Sequence, residues 1–297
     1  MLRLPVLVGL LCAIALQSCQ KPDTRISETD LSEVLRQAGE DSQAAFDYAA
    51  ASEHFRKLSD RKPEDIQAWL AYARNLRYSG RAQQAMRVLR TRMPSFGEDP
   101  RLLIELGKAQ LAASIAEAAL VTLKRATQKA PGSWDAHAAL GIAYDRLGRF
   151  AEARGAYQRA LALSKDNVAV LNNLALSRAL AGDIGKGIAI LERVYASPFS
   201  TPLTRQNLAM LHGVRGDVER ARELGLVDLA PDMVDQNIAT LKLFGGEPRP
   251  ASAAPAAALI APSSAPSWDP TAPLPAGSTA PESQRTPPEE STRSLEW

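Results

Sequence analysis

Cysteine is nearly absent: the 297 residues hold two, Cys12 and Cys19, both within the first twenty. Neither a disulfide framework nor a cysteine-based zinc site is therefore open to the rest of the chain. Histidine is almost as scarce. His54, His137 and His212 are the whole supply, they lie far apart, and no HExxH pairs any of them. That excludes a metalloprotease site of this kind. Charge of one sign is also missing, with 35 Lys and Arg against 33 Asp and Glu, so no global field recruits nucleic acid. The glycine-rich phosphate loops and the G-x-S-x-G elbow are absent, and with them the commonest nucleotide and hydrolase chemistries. Carboxylates are spread over what reads as helix exterior, where solvated surface is the plainer account. The expectation is a protein without catalytic residues, metal or bound cofactor, and not an enzyme.

No apolar run is long enough to cross a bilayer comfortably. The longest, Leu4 to Leu16, follows the single cation Arg3 and reads as a secretory signal. It ends in Leu16-Gln17-Ser18-Cys19, which resembles the bacterial lipobox. The resemblance implies cleavage before Cys19, a diacylglycerol on its thiol and an acylated new amino terminus. Two or three acyl chains anchor stably where one binds only reversibly. Gln20 stands where an aspartate would resemble an inner-membrane retention signal. Residues 1–18 are thus expected to be a signal peptide and 19–31 a lipidated tether, with the protein on the periplasmic face of an outer membrane.

What is abundant is a period. Steps of 34 residues give Gly39, Ala73, Gly107, Gly141, Ala175 and Ala209; a second column gives Ala51, Ala85, Ala119, Ala153, Gly187 and Ala221. Every position in both columns is glycine or alanine. A third column is bulky after Ala38, running Tyr72, Leu106, Leu140, Leu174, Leu208; a fourth runs Phe55, Leu89, Leu123, Tyr157, Leu191 and fails at Gly225. Each unit reads as two helices: residues 134–147 and 150–163 in the fourth, with Gly148 between them where a helix end favours a left-handed residue. Gly80, Gly182 and Gly216 hold the same place elsewhere. Small residues let paired helices approach closely while large ones fill the grooves beside them, so Gly141 is read as a contact site.

This pattern resembles the tetratricopeptide repeat, most strongly over Trp134–Asn167. It implies an all-α solenoid of about six helical hairpins over residues 32–245, weaker at both ends and closed by a capping helix at 232–244. Beyond it the composition changes: residues 245–297 hold 11 of the 20 prolines. Residues 246–297 are accordingly expected to form a disordered Pro/Ala/Ser-rich tail, either inert or carrying a docking spot at Trp268 or Leu295–Trp297.

In such arrays the first helix of each unit lines a concave groove. Carried onto this chain, the resemblance puts Arg74, Arg77, Tyr78, Arg101 and Lys108 near the amino end. It puts Asn172, Asn173, Leu176, Leu180, Leu203, Gln206, Asn207 and Met210 near the carboxyl end. The basic group reads either as a ligand contact or as a solvated face. Asn173 and Asn207, one period apart, read either as packing residues or as donors and acceptors for an extended peptide. The last third also resembles the TadD family of Flp/Tad pilus assembly lipoproteins. The matching residues are Asn173-Leu174-Ala175-Leu176, Arg205-Gln206-Asn207-Leu208-Ala209, Asp228-Leu229, and Asn237 with Leu241; Gly187, Gly225 and the tail depart from it. The resemblance implies a non-catalytic assembly factor whose partner is a secretin or another pilus component. The alternative is a general envelope scaffold in barrel-protein assembly or cell-wall synthesis.

Overall fold

The computed structural model describes residues 28–244. The signal, the lipobox and the tail lie outside the described residues, as does the tether as far as residue 27. Among the described residues the regular elements are helices: α1 (Glu28–Ala44), α2 (Tyr48–Arg61), α3 (Ile66–Tyr78), α4 (Ala82–Phe96), α5 (Pro100–Ala112), α6 (Ala116–Lys129), α7 (Trp134–Arg146), α8 (Phe150–Leu163), α9 (Val168–Leu180), α10 (Ile184–Tyr195), α11 (Pro202–Arg215), α12 (Val218–Gly225) and α13 (Pro231–Phe244). Residues 28–31, assigned to the tether on sequence, instead begin α1.

From the second hairpin onward, each hairpin starts on a side-chain cap. Asp65 accepts from the N–H groups of Gln67 and Ala68, Asp99 from Arg101, Ser133 from Ala136, Asn167 from Val170 and Thr201 from Thr204. These five caps stand 34 residues apart, and each is worth about 1 kcal/mol. The turn inside each hairpin has its own column. Gly80, Gly148, Gly182 and Gly216 sit at φ of +78°, +69°, +88° and +94°, while Phe46 and Ser114 hold +60° without glycine's freedom.

The small and large columns meet inside the hairpins. A Cβ at Gly141 would stand 2.6 Å from the Tyr157 ring, one at Gly107 would lie 2.4 Å from Leu123 Cγ, and one at Gly39 would lie 2.7 Å from the Phe55 ring. Gly187 serves the same purpose differently: a Cβ there would lie 2.6 Å from the Ala175 carbonyl oxygen, so α10 comes up against the backbone of α9. Alanine holds the same place in other repeats: Ala73 shares a buried cluster with Leu89, and Ala175 one with Leu191. The stack ends where this rule reverses. At Gly225 a Cβ would lie 3.2 Å from both Val234 methyls, and at Gly213 2.6 Å from Leu241 Cδ1. The two glycines are the seat into which α13 presses its apolar side.

Candidate functional site

The odd-numbered helices lie side by side, α3 with α5, α5 with α7, α7 with α9, α9 with α11 and α11 with α13. Each even-numbered helix makes its main contacts with the odd helices before and after it. The stack is therefore tighter on the odd side, which forms a continuous wall. Two columns run along that wall: Ala71, Glu105, Ala139, Asn173, Asn207 and, three residues on, Arg74, Lys108, Ile142, Leu176, Met210. Their chemistry changes from charged to amide and apolar along the stack.

At the amino end the charges close on each other. Arg77 Nε donates to Glu105 Oε1 at 2.8 Å, Arg74 Nε lies 3.8 Å from Glu105 Oε2, and Lys108 Nζ donates to Asp135 Oδ2 at 2.8 Å. Glu105 is 2% exposed and Lys108 6%. Burial pushes the Glu105 carboxyl up, but the charges of Arg77, Lys108 and Arg74 more than reverse it and hold it below the ordinary carboxylate range. Tyr78 lies between the Arg77 guanidinium, 4.3 Å from its ring centre, and the Tyr48 ring at 5.0 Å. Arg101 is exposed but folds back onto the cap of its own helix, its Nε donating to Asp99 at 3.0 Å. Neither reading of the basic group, ligand contact or solvated face, holds at Arg77 and Lys108. Both cations cross to the next repeat and neutralise a carboxylate there, because an unpaired buried charge is far costlier than a paired one.

In the middle, Asp145 on α7 accepts from Tyr157 Oη of α8 at 2.8 Å and from Ser177 Oγ of α9 at 2.7 Å. Burial pushes its carboxyl up to about 6, against the two hydroxyls and the charge of Arg146, which pull the other way. Burial and the neighbouring carboxylate together raise the Tyr157 phenol well above its ordinary value. Sequence reading passed over Asp145 because nothing in a lone aspartate on a helix marks it as buried.

The carboxyl end is built from amides. Asn172 is 2% exposed, and its Nδ2 donates to the Val168 carbonyl at 2.8 Å and to Thr204 Oγ1 at 3.1 Å. Its Oδ1 accepts from Asn207 Nδ2 at 3.0 Å. Asn172 is therefore a positioning residue inside the wall. Asn207 pairs with it and not with Asn173, its counterpart one period away. Asn173 keeps a buried Nδ2 with no hydrogen-bond partner. Leu176 and Met210 are half-buried beside the cluster of Leu191, Leu208 and Leu211. This end thus offers an unanswered donor, an oriented amide and two apolar side chains, with no charge among the members of either column on α9 and α11.

The residues behind the pilus-lipoprotein resemblance hold this end together. Arg205 Nε donates to Asp228 at 2.8 Å, tying α11 to the loop before α13, and Leu241 fills the space above Gly213. The histidines stay apart: His212 bonds Asp217 at 2.9 Å and His137 lies 3.1 Å from the Pro131 carbonyl oxygen. Among the described residues no group of three metal-ligating side chains converges, and no helix is long and apolar enough to cross a membrane.

A family profile of the tetratricopeptide repeat matches residues 134–167. No curated protein matches the chain by sequence. Among solved structures it is similar to TTC0263, a thermophilic TPR protein of Thermus thermophilus, at 21% identity over 62% of this chain and 98% of that one, with a TM-score of 0.55. It is similar to a chain of the APC/C hetero-tetramer Cut9–Hcn1 at 16% identity over 66% of this chain and 36% of that one, with a TM-score of 0.52. PilF of Pseudomonas aeruginosa matches at 17% identity over 74% of this chain and 95% of that one, with a TM-score of 0.50. At such identities the likeness speaks for the fold alone. With the hairpins, their 34-residue register and the side-by-side odd helices, it establishes that residues 28–244 form a tetratricopeptide-repeat solenoid.

Proposed function

We propose that the protein is a lipid-anchored assembly factor of the outer membrane that captures an extended segment of an envelope protein on the wall of α9 and α11. The coarse part follows from the fold: a solenoid of this kind is a scaffold for protein–protein interaction. The observation that carries the finer part is the buried, unpartnered Nδ2 of Asn173 beside the oriented amide of Asn207. A buried donor without an acceptor is costly, and the backbone carbonyl of a docked peptide is the group that answers it. Leu176 and Met210 supply the apolar floor that alternate side chains of such a peptide need. The lipobox at Cys19 and the resemblance of the last third to Flp/Tad pilus lipoproteins support a secretin, or another pilus component, as the partner.

The test is crosslinking and purification from membranes. Wild type is expected to recover the secretin. Asn173→Ala with Asn207→Ala should lose that recovery while circular dichroism stays unchanged, and Cys19→Ala should lose it by leaving the membrane fraction. Recovery of barrel-assembly or cell-wall enzymes instead of the secretin would move the assignment to a general envelope scaffold. Undiminished capture by the double asparagine variant would remove the wall from the reading.

A further inference from the structure

We infer that residues 250–268 of the chain itself occupy the wall of α9 and α11 until a partner displaces them; this regulation rests on the reading that the wall accepts extended peptide. Chemical match is the first reason. The wall presents amide and apolar groups and no charge at Asn173, Leu176, Asn207 and Met210. The stretch between Arg249 and Asp269 carries no charged residue and contains Leu259, Ile260 and Trp268. An acidic peptide would find little here, because Arg77 and Lys108 are already neutralised by Glu105 and Asp135.

The backbone of that stretch suits the same surface. Pro250, Pro255, Pro262 and Pro266 fix φ near the extended range and lower the entropy lost on docking. Between Pro255 and Pro262 the residues Ala256 to Ala261 keep their N–H groups, and they include the two largest aliphatic side chains of the stretch. Their carbonyls can accept from Asn173 Nδ2 and their N–H groups can donate to Asn207 Oδ1, whose amide is held in place through its Nδ2 by Asn172.

Reach is the third reason. Leu241 rests on Gly213 of α11, and α13 ends three residues later at Phe244. The tail therefore follows directly on a helix that is packed against α11. From Gly245 to Leu259 the chain can extend about 45 Å, whereas neighbouring helix axes lie about 10 Å apart, so both α11 and α9 are within range. Attachment in the same chain raises the effective concentration of the segment to roughly millimolar.

The experiment uses the full chain with p-benzoylphenylalanine in place of Met210, irradiated and mapped by mass spectrometry. Adducts are expected within residues 250–268, with a yield that holds constant over roughly hundredfold dilution, as an intramolecular contact requires. In the Leu259→Ser/Ile260→Ser variant the yield should fall about tenfold, because the apolar anchors are gone. Absence of adducts in that stretch, a yield that climbs with concentration, or an unchanged yield in the serine variant would each overturn the inference. The partner assay is read separately. Tail adducts alongside undiminished secretin capture by the asparagine variant would sink only the function proposed above. Capture that needs the asparagines, without tail adducts, would sink only self-occupancy.

Discussion

Glu105 and Asn173 occupy the same position two repeats apart, on α5 and α9, yet they do opposite things. Glu105 is enclosed by Arg77, Arg74 and Lys108 and leaves nothing for a visitor. Asn173 is left with a donor that nothing in the described chain answers. The backbone frame is the same in both places; two repeats on, Ile142, Asp145 and Leu176 stand where Glu105 has Arg74, Arg77 and Lys108. A repeat array can thus assign one stretch of its wall to holding the stack and another to recognition by changing a few side chains within a fixed register.

The sharpest way to break that contrast is Glu105→Ala, which strands buried Arg77. It should cost about 3–5 kcal/mol by urea unfolding, with most of the loss recovered in Arg77→Met/Glu105→Leu. Asp145 lies between the two regimes and gives the next effect. Its folded carboxyl titrates at about 6, above an unfolded value of about 3.9, so the native state binds the extra proton between those values. Acidifying from pH 7 to pH 4 should therefore stabilise wild type relative to Asp145→Asn by about 2 kcal/mol, read from paired melts. A difference that shrinks on acidification would refute the assignment. Gly141→Ala tests the packing that both ends share: its methyl meets the Tyr157 ring, and a loss of about 1–3 kcal/mol is expected. Asn173→Ala should be the mildest, within about 0.5 kcal/mol, because it removes a group that contributes no bond. A large loss there would mean that Asn173 belongs to the stack after all.

The period was legible because close helix packing restricts side-chain size, and size is written directly in residue identity. Gly39, Gly107 and Gly141 each face the bulky residue of the neighbouring column, as their spacing implied. The caps at Asp65, Asp99, Ser133, Asn167 and Thr201 were there to be found, but four residue types perform one task and hide the column. The cross-repeat pairs were not legible. Arg77 with Glu105, Lys108 with Asp135 and Asn207 with Asn172 are separated by 28, 27 and 35 residues. Those separations depend on side-chain reach and on the rotation between hairpins, and neither follows from a strict step of 34. Hence Arg77 and Lys108, read as ligand contacts or a solvated face, are instead paired within the array.

Gly213 and Gly225 carry a consequence for the length of the molecule. Gly187 already leaves room for Leu211 of the next hairpin, and the last hairpin leaves two such hollows, which Leu241 and Val234 fill. Any hairpin grafted after residue 230 in place of α13 would therefore need bulky apolar side chains at those two points. The end of the array is a socket, and whatever follows it must bring the plug.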